Sequence, residues 1–442
     1  MSGPIASTGV VGKVRPHMKV LIIGGGGREH ALAWRLADSP RVTGLFAMPG
    51  NPGIAQLAEL VSGDPMKFDA VEKFARRNAI DLVVIGPEDQ LAAGLADRLI
   101  AAGIKVFGPT KDAAQLEGDK WFAKELMRQQ SVPTAEARVF TDPSAADEYV
   151  RTRNQPLVIK ASGLAKGKGV TVCQRAADAL VAIDQIMRQR AFGGAGDRIV
   201  IEEKLNGPEA SILAFVDHKN IYVMEPAQDH KPVGDGDTGP MTGGMGAYTP
   251  TPVVTDAMIR SIERDILVPV VDGLVRDGIK YKGVLYAGLM LTTNGPKVLE
   301  FNCRFGDPET QPLMMRLKSD LLEVMLAVAD GTLDQVELEW DPRPAVCVVA
   351  TSKGYPGEYP TGLPIEGIND ADAMRDVKVF HSGTRMDGDK LVTNGGRVLG
   401  VTALGDTTQQ AQHRAYEAMK KIHFDGMHYR TDIAHQAVKL ER

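Results

Sequence analysis

Residues 19–37 read KVLIIGGGGREHALAWRLA, and this stretch decides the fold of the first part of the chain. Lys19–Ile23 has the length and apolar character of a strand buried on both faces of a parallel sheet. Four glycines, Gly24–Gly27, follow it, and Arg28–Ala37 has helical periodicity. Further predicted strands (42–48, 81–85, 106–107) alternate with predicted helices (71–78, 91–101). This alternation predicts a doubly wound parallel sheet over about residues 18–135.

The glycines between this strand and helix suit a phosphate, because a helix start offers free N–H groups and a positive dipole end. The dinucleotide pattern G-x-G-x-x-G fails, since Glu29 and His30 stand where its last glycine belongs. The second strand also lacks an acidic residue for a ribose. A nicotinamide dehydrogenase is therefore disfavoured. A tight strand-to-helix turn is the alternative use of these glycines.

A second glycine loop, Gly163–Gly169, reads GLAKGKG. It is not a Walker loop, because only three residues separate Gly163 from Gly167-Lys168, and Gly169 replaces the Ser or Thr that would face magnesium. Its glycines and its lysines, Lys166 and Lys168, still suit a flexible cover over phosphates. A solvated basic hairpin is the alternative, since most surface lysines are only solvated.

A third motif is Glu300-Phe-Asn302, at the end of a predicted strand over 296–301. Residues two apart on a strand share a face, so Glu300 and Asn302 place two hard oxygen ligands side by side, as Mg²⁺ prefers. If the strand continues, Arg304 lies on that face and is suited to an oxyanion or a phosphoryl group. Cys303 alternates to the opposite face and is predicted to lie in the core.

Composition narrows the class of protein. The 442 residues carry 51 Lys plus Arg and 56 Asp plus Glu, a net charge of −5, which argues against a nucleic-acid or anionic-membrane surface. No apolar run approaches the roughly 18–20 residues of a membrane helix. Three widely spaced cysteines indicate neither zinc nor disulfides and predict a reduced, cytoplasmic chain. Residues 1–17 are predicted to be a disordered extension, with Met18 as an alternative start.

The chain shares collinear blocks with a known family, of which the most specific, Arg304–Gln311, reads RFGDPETQ. The others are Gly24–His30, Val158–Ala161, Gln228–Lys231, Thr242–Tyr248, Tyr286–Met290 and Thr393–Arg397. Together they resemble the phosphoribosylamine–glycine ligase family of the ATP-grasp superfamily. The resemblance implies an α/β fold with α+β lobes: a preATP-grasp N domain (18–135), a lid subdomain (136–200), an ATP-grasp central domain (201–341) and a C-terminal α+β domain (342–442).

The resemblance also implies roles for individual residues. Arg304, Lys160 and Lys168 are the implied catalytic residues, and Glu300 and Asn302 are the implied Mg²⁺ or Mn²⁺ ligands. The implied ATP site comprises the phosphate lysines, the lid loop, the adenine hinge and a ribose carboxylate: Lys120, Lys160, Gly163, Lys166, Gly167, Lys168, Gly169, Glu202, Glu203, Lys204, Leu205 and Glu209. The implied substrate residues are Gly25, Gly26, Gly27, Asn51, Gly53, Glu88, Asp229, Lys231, Asp307 and Glu309.

The family reaction implied by the resemblance joins glycine to 5-phosphoribosylamine at the expense of ATP, through glycyl phosphate, in de novo purine biosynthesis. It implies a monomer acting on small molecules. Pro232 and Met241 depart from the family pattern at positions expected near ATP or the metal, and Lys166 departs within the lid loop. Two alternatives stay open: a related ligase with another acid or amine, and a nucleotide-binding module without turnover. His230 is interpreted either as a base or as a structural histidine.

Overall fold

The computed structural model describes residues 17–153, 155–165 and 168–441. Its first part contains β1 Met18–Gly24, α1 Gly27–Ala37, β2 Val42–Pro49, β3 Glu59–Leu60, α2 Phe68–Arg77, β4 Leu82–Ile85, α3 Glu88–Ala93, α4 Leu95–Ala101, β5 Lys105–Phe107, α5 Lys111–Gly118 and α6 Lys120–Gln129. The five strands pair in parallel in the order β3-β2-β1-β4-β5, which confirms the predicted sheet. The single helix predicted over 91–101 is wrong. It is two helices, because Gly94 adopts a left-handed φ of 94° between α3 and α4.

A second, antiparallel sheet forms around its own small core. Its elements are β6 Ala137–Phe140, α7 Pro143–Arg151, β7 Leu157–Ala161, β8 Val170–Cys173, α8 Ala176–Ile183 and β9 Ile199–Glu203. The strand order is β6-β9-β7-β8. Apolar side chains such as Ile159, Ile183 and Ile201 are buried between this sheet and its two helices. Strand β9 is the last strand of this lobe. From its end at Glu203 the chain passes through residues 204–208 to Glu209, where the next sheet begins.

The central sheet carries the strand with the predicted metal ligands. This part of the chain contains β10 Glu209–Asp217, β11 Ile221–Val223, β12 Gln228–Asp229, β13 Pro232–Gly234, β14 Thr238–Met241, β15 Gly246–Thr249, α9 Asp256–Ile262, α10 Val268–Arg276, β16 Lys282–Thr292, β17 Gly295–Asn302, α11 Thr310–Arg316 and α12 Leu321–Asp330. Four of these strands pair antiparallel in the order β11-β10-β16-β17. Tyr286 lies opposite Asn302, and Gly288 lies opposite Glu300.

The last sheet joins strands that are far apart in the sequence. The C-terminal elements are β18 Ala345–Thr351, α13 Ile368–Asp372, β19 Val377–His381, β20 Thr384–Asp387, β21 Lys390–Thr393, β22 Arg397–Leu404, α14 Thr408–Met419 and α15 His435–Leu440. The strand order is β12-β15-β18-β22-β19, so two short strands from before residue 250 extend the C-terminal sheet. Helix α1 packs against both α11 and β19. The N-terminal glycine loop therefore meets the C-terminal sheet.

No helix among the described residues is long and apolar enough to cross a membrane.

Candidate active site

The N-terminal glycine loop is held by side chains from the chain itself. The backbone N–H of Gly26 donates to Glu29 Oε2 at 2.7 Å, so a carboxylate already faces the start of α1. Asn51 Nδ2 donates to the carbonyl of Gly25 at 2.9 Å and to the carbonyl of His381 at 2.8 Å. One amide side chain thus ties the glycine loop to a C-terminal strand.

Two of the predicted substrate glycines, Gly27 and Gly53, lie where an added side chain would come too close to neighbouring atoms. A Cβ on Gly27 would stand 2.5 Å from Gln311 Nε2 and from Ser382 Oγ. A Cβ on Gly53 would stand 2.3 Å from the ring of His30. The same Cβ on Gly53 would stand 2.7 Å from the ring of His381, so close approach between the N-terminal and C-terminal parts of the chain favours glycine at both positions.

Arg304 bridges two acidic residues of the N-terminal part. Its Nε donates to Glu88 Oε2 at 3.2 Å and its Nη2 donates to Glu117 Oε1 at 2.8 Å. Burial alone raises the pKa of Glu88, but the charges of Arg304 and Arg28 lower it to about 2. Burial raises the pKa of Glu117 despite its contact with Arg304. The guanidinium is therefore fixed in place at the end of β17.

Lys160, one of the predicted phosphate lysines, and Lys124, which was not predicted, contact a shared buried carboxylate. Lys160 Nζ lies 2.9 Å from Glu202 Oε2, and Lys124 Nζ lies 3.1 Å from Glu202 Oε1. Lys160 also donates to the carbonyl of Leu299 at 2.9 Å, which connects it to β17, the strand with the predicted metal ligands. Burial lowers the pKa of Lys124 to about 8 although Glu202 opposes the shift. Lys120 Nζ donates to the carbonyl of Gly163 at 3.4 Å, and burial lowers its pKa.

Two of the predicted hinge residues, Glu202 and Glu203, lie on opposite faces of β9. The side chain of Glu202 points to the lysines, whereas Glu203 faces outward and pairs with Lys297 at 3.1 Å. The N–H of Lys204 donates to the carbonyl of Pro156 at 3.3 Å, and Leu205 follows half-buried on the way to β10.

The lid loop is described only in part. The N–H of Gly163 donates to the carbonyl of Ala195 at 3.0 Å, and Gly169 accepts from the N–H of Ala161 at 2.8 Å. Lys168 is exposed. The remaining two predicted loop residues, Lys166 and Gly167, lie outside the described residues.

Glu300 and Asn302 are half-buried at the end of β17, and the alternation between them holds as predicted. Glu209 lies within electrostatic range of Glu300. Burial raises the pKa of Glu209, the charges of Lys231 and Lys160 lower it, and the charge of Glu300 raises it. Cys303 is buried, as predicted, and burial raises the pKa of its thiol to about 12.

Three more predicted substrate residues belong to two polar groups, a partly buried one around Lys231 and a buried one around Glu309. Lys231 Nζ lies 2.7 Å from Asp229 Oδ2. Glu309 Oε1 accepts from Tyr286 Oη at 2.6 Å and from Ser211 Oγ at 3.1 Å.

Asp307 belongs to a separate contact with the C-terminal part of the chain. The Nε2 of Gln311 donates to Asp307 Oδ1 at 2.9 Å, and Arg397 Nη1 donates to the carbonyl of Asp307 at 2.6 Å.

His230 has a structural environment. Its Nε2 accepts from the backbone N–H of Ala434 at 2.9 Å, and the backbone N–H of His230 donates to the carbonyl of Gly246 at 2.9 Å. The side chain is buried beside Tyr248. These bonds favour the structural interpretation over that of a base.

Several residues of the site were missed from the sequence, among them Glu117, Lys124, Tyr286 and Arg397. Lys124 follows Lys120 by four positions, which places both on one helix face, and this spacing was an available signal. Glu117 had no such signal, because its partner Arg304 lies 187 residues away.

Family models cover most of the chain in order. Residues 18–117 match the N domain of phosphoribosylglycinamide synthetase, residues 118–310 its ATP-grasp (A) domain, and residues 345–436 its C domain. The chain belongs to the phosphoribosylglycinamide synthetase family. This family membership confirms the predicted resemblance and the ATP-grasp fold.

Members of this family are similar over almost their whole length. A phosphoribosylamine–glycine ligase of Rhodopirellula baltica is 53% identical over 427 residues, covering 95% of this chain and 98% of the relative. One of Agrobacterium fabrum is 52% identical over 425 residues, covering 96% of this chain and 100% of the relative. The crystal structure of the Thermotoga maritima enzyme of that name superimposes with a TM-score of 0.81 at 32% identity, covering 94% and 99%.

A more distant structure shares the fold alone. It is the biotin carboxylase domain of the Hydrogenobacter thermophilus 2-oxoglutarate carboxylase, with a TM-score of 0.72 at 14% identity, covering 93% of this chain and 92% of that one.

Proposed function

We propose that this chain is a ligase that joins glycine to 5-phosphoribosylamine, with conversion of ATP to ADP and phosphate, in de novo purine biosynthesis. The observation that carries this proposal is the 53% identity to a phosphoribosylamine–glycine ligase over 95% of the chain. The product is glycinamide ribonucleotide. We further propose that the protein acts as a monomer in the cytoplasm.

The first step is attack of the glycine carboxylate on the γ-phosphate of ATP, which gives glycyl phosphate and ADP. Such a transfer needs positioning and charge neutralisation more than a covalent nucleophile. We assign Lys120, Lys160 and Lys168 to the phosphates. Support comes from the fixed position of Lys160, whose Nζ contacts Glu202 and the backbone of Leu299.

Arg304 is assigned to the carboxylate or the transferring phosphoryl group. A guanidinium has five N–H donors. Glu88, Glu117 and the carbonyl of Phe305 occupy three of them among the described residues, with the last contact from Nη1 at 3.3 Å. One N–H on each terminal nitrogen therefore stays available for an anion.

The donor set at Glu300 and Asn302 fits Mg²⁺ or Mn²⁺. Both are hard oxygen donors on one face of β17, and no other side chain of the described residues hydrogen-bonds to either. Glu300 and Asn302 would hold the ion on the protein side, as a divalent cation bound by one or two side chains together with substrate phosphates requires. A divalent ion bound there supplies charge neutralisation to the transferring phosphoryl group.

In the second step the amine of phosphoribosylamine attacks the acyl carbon and phosphate leaves. We assign the loop Gly25–Gly27, Asn51, Gly53 and Glu88 to the amine substrate. Glycine and phosphoribosylamine together are assigned four more residues: Asp229, Lys231, Asp307 and Glu309. The lobe 136–200 is assigned as a lid that excludes water from the acyl phosphate.

An assay of ADP release with each substrate omitted in turn tests this function. We expect release only when ATP, glycine and phosphoribosylamine are all present, and no release when alanine or serine replaces glycine. Release with another acid or amine would identify a different ligase of the same fold, and no release at all would indicate a binding module.

A matched pair of variants tests the metal assignment. Glu300→Gln should abolish turnover, because it removes the one negatively charged ligand of the pair that Glu300 forms with Asn302. Glu337→Gln makes the same change at an exposed position and should leave turnover unchanged. Full activity of Glu300→Gln would contradict the assigned metal site.

A further inference from the structure

The carboxylate of Glu117 contacts two consecutive residues at the end of the metal-ligand strand. Its Oε1 accepts from Arg304 Nη2 at 2.8 Å, and its Oε2 accepts from the backbone N–H of Cys303 at 2.8 Å. Glu117 lies at the end of α5, which packs against β17. Both oxygens are therefore committed to holding the segment that follows Asn302.

Of the two carboxylates that contact Arg304, Glu117 makes the shorter and more buried contact. Its side chain is 8% exposed, whereas that of Glu88 is 25% exposed and its contact is longer, 3.2 Å against 2.8 Å. Charge-assisted bonds of this kind strengthen as water is excluded. Removal of Glu117 would leave Arg304 with its weaker, more solvated partner.

Burial makes Glu117 an unfavourable place for a carboxylate in terms of stability alone. A buried ion pair often contributes no more to stability than an apolar pair of the same shape, because both charges lose their hydration. The pKa of Glu117 is raised by burial, which agrees with that cost. The hydrogen bonds to Cys303 and Arg304 therefore indicate that this carboxylate orients its two partners rather than stabilising the fold.

We propose that Glu117 is a positioning residue that holds the Arg304 guanidinium, and the backbone that links it to Asn302, in the orientation needed for transfer to the glycine carboxylate. This inference rests on the proposed function, through the role assigned to Arg304. It concerns a residue that does not itself touch a substrate.

Glutamine at this position is a sharp test, because it keeps the size of the side chain but offers a single acceptor oxygen. It satisfies either the N–H of Cys303 or Arg304, not both. We expect Glu117→Gln to lower kcat by about 10- to 100-fold, as loss of an orienting partner does. The KM for ATP and the melting temperature should change little. Glu125→Gln is the matched control, since the ion pair of Glu125 among the described residues is with Arg128, which is 72% exposed.

A double-mutant cycle with Arg304→Lys separates positioning from general damage. If Glu117 acts through the guanidinium, Glu117→Gln should lower kcat much less in the Arg304→Lys background than in the wild type. The same fold-loss in both backgrounds would overturn the proposal, as would unchanged kcat in the single variant. If Glu117→Gln does not fold, Glu117→Asp, which keeps the charge but reaches only one donor, takes its place in the cycle.

Failure of the proposed function gives a different result. In that case the wild-type chain itself releases no glycine-dependent ADP. Failure of the positioning role leaves the wild type active and the cycle additive.

Discussion

Replacement of Glu202 by glutamine should destabilise the antiparallel lobe that contains β6–β9 and its junction with β17. The Glu202 side chain is 2% exposed, and it lies between Lys124 at 3.1 Å and Lys160 at 2.9 Å. Glutamine keeps the shape but removes the charge, so two buried ammonium groups lose their shared counter-ion. The burial of all three groups makes this change costly.

The magnitude follows from these distances. At an effective dielectric constant of ~20, two unit charges about 3 Å apart attract by about 5 kcal/mol, so the two contacts together amount to about 10 kcal/mol. Desolvation of the buried ions offsets much of this sum, and removing one partner of a buried pair costs about 3–5 kcal/mol. Because glutamine retains one acceptor oxygen, we expect about 3 kcal/mol. Glu203→Gln, one residue along β9, removes a pair with the half-exposed Lys297 and should cost less than about 1 kcal/mol.

Hydrogen–deuterium exchange of β7 and β9 measures this cost locally. A loss of about 3 kcal/mol corresponds to exchange that is roughly 100-fold faster in Glu202→Gln than in the wild type. Glu203→Gln should show less than about a fivefold change. Equal rates in the wild type and in Glu202→Gln would refute the assignment of Glu202 as the shared counter-ion.

The pH dependence adds a second check. The unfolded chain keeps the Lys124 proton up to about its ordinary pKa of 10.5, whereas the folded chain releases it near 8. Lys124 therefore costs stability below pH 8, and this cost is relieved as the pH rises from 8 to 10.5. In the folded chain its attraction to Glu202 fades as the pH rises through 8, so Glu202→Gln should differ less from the wild type above pH 8 than below it.

Three further outcomes are expected. The folded pKa of Glu88 is about 2 against 4.5 unfolded, so its contribution is present above pH 4.5 and is lost as the pH falls to 2. Urea unfolding should show that acidification costs the wild type about 3 kcal/mol more than Glu88→Gln, and equal losses would contradict this. Burial raises the thiol pKa to about 11 or 12 in all three cysteines, so a thiol reagent at pH 8 should label none until the protein is denatured. Gly53→Ala should lower stability by about 1–3 kcal/mol through overpacking on His30, whereas Gly194→Ala, which meets no atom closer than 3.7 Å, should not.

The N-terminal sheet and strand β17 were predictable because their signals are local. The apolar run Lys19–Ile23 indicates a strand buried on both faces, and β1 is buried at all but one position. The period of two placed Glu300 and Asn302 on one face and Cys303 on the other, and Cys303 is buried.

The remaining features depend on contacts between distant parts of the chain. Strand β15 pairs with β18 about a hundred residues later, and no local pattern encodes that partner. Glu117 has the same property, since its partners Cys303 and Arg304 lie 186 and 187 residues away in the sequence. The glycines at 27 and 53 were predicted as substrate residues, but the structure gives both a packing reason that the sequence alone did not reveal.

The fate of the glycine carboxylate oxygens tests the proposed reaction most directly. Glycine labelled with oxygen-18 in its carboxylate would be incubated with the protein, ATP and phosphoribosylamine, and the products analysed by mass spectrometry. Transfer through glycyl phosphate predicts that each inorganic phosphate carries one labelled oxygen and that the amide of glycinamide ribonucleotide keeps the other. Unlabelled phosphate, or no glycinamide ribonucleotide, would contradict the proposed function.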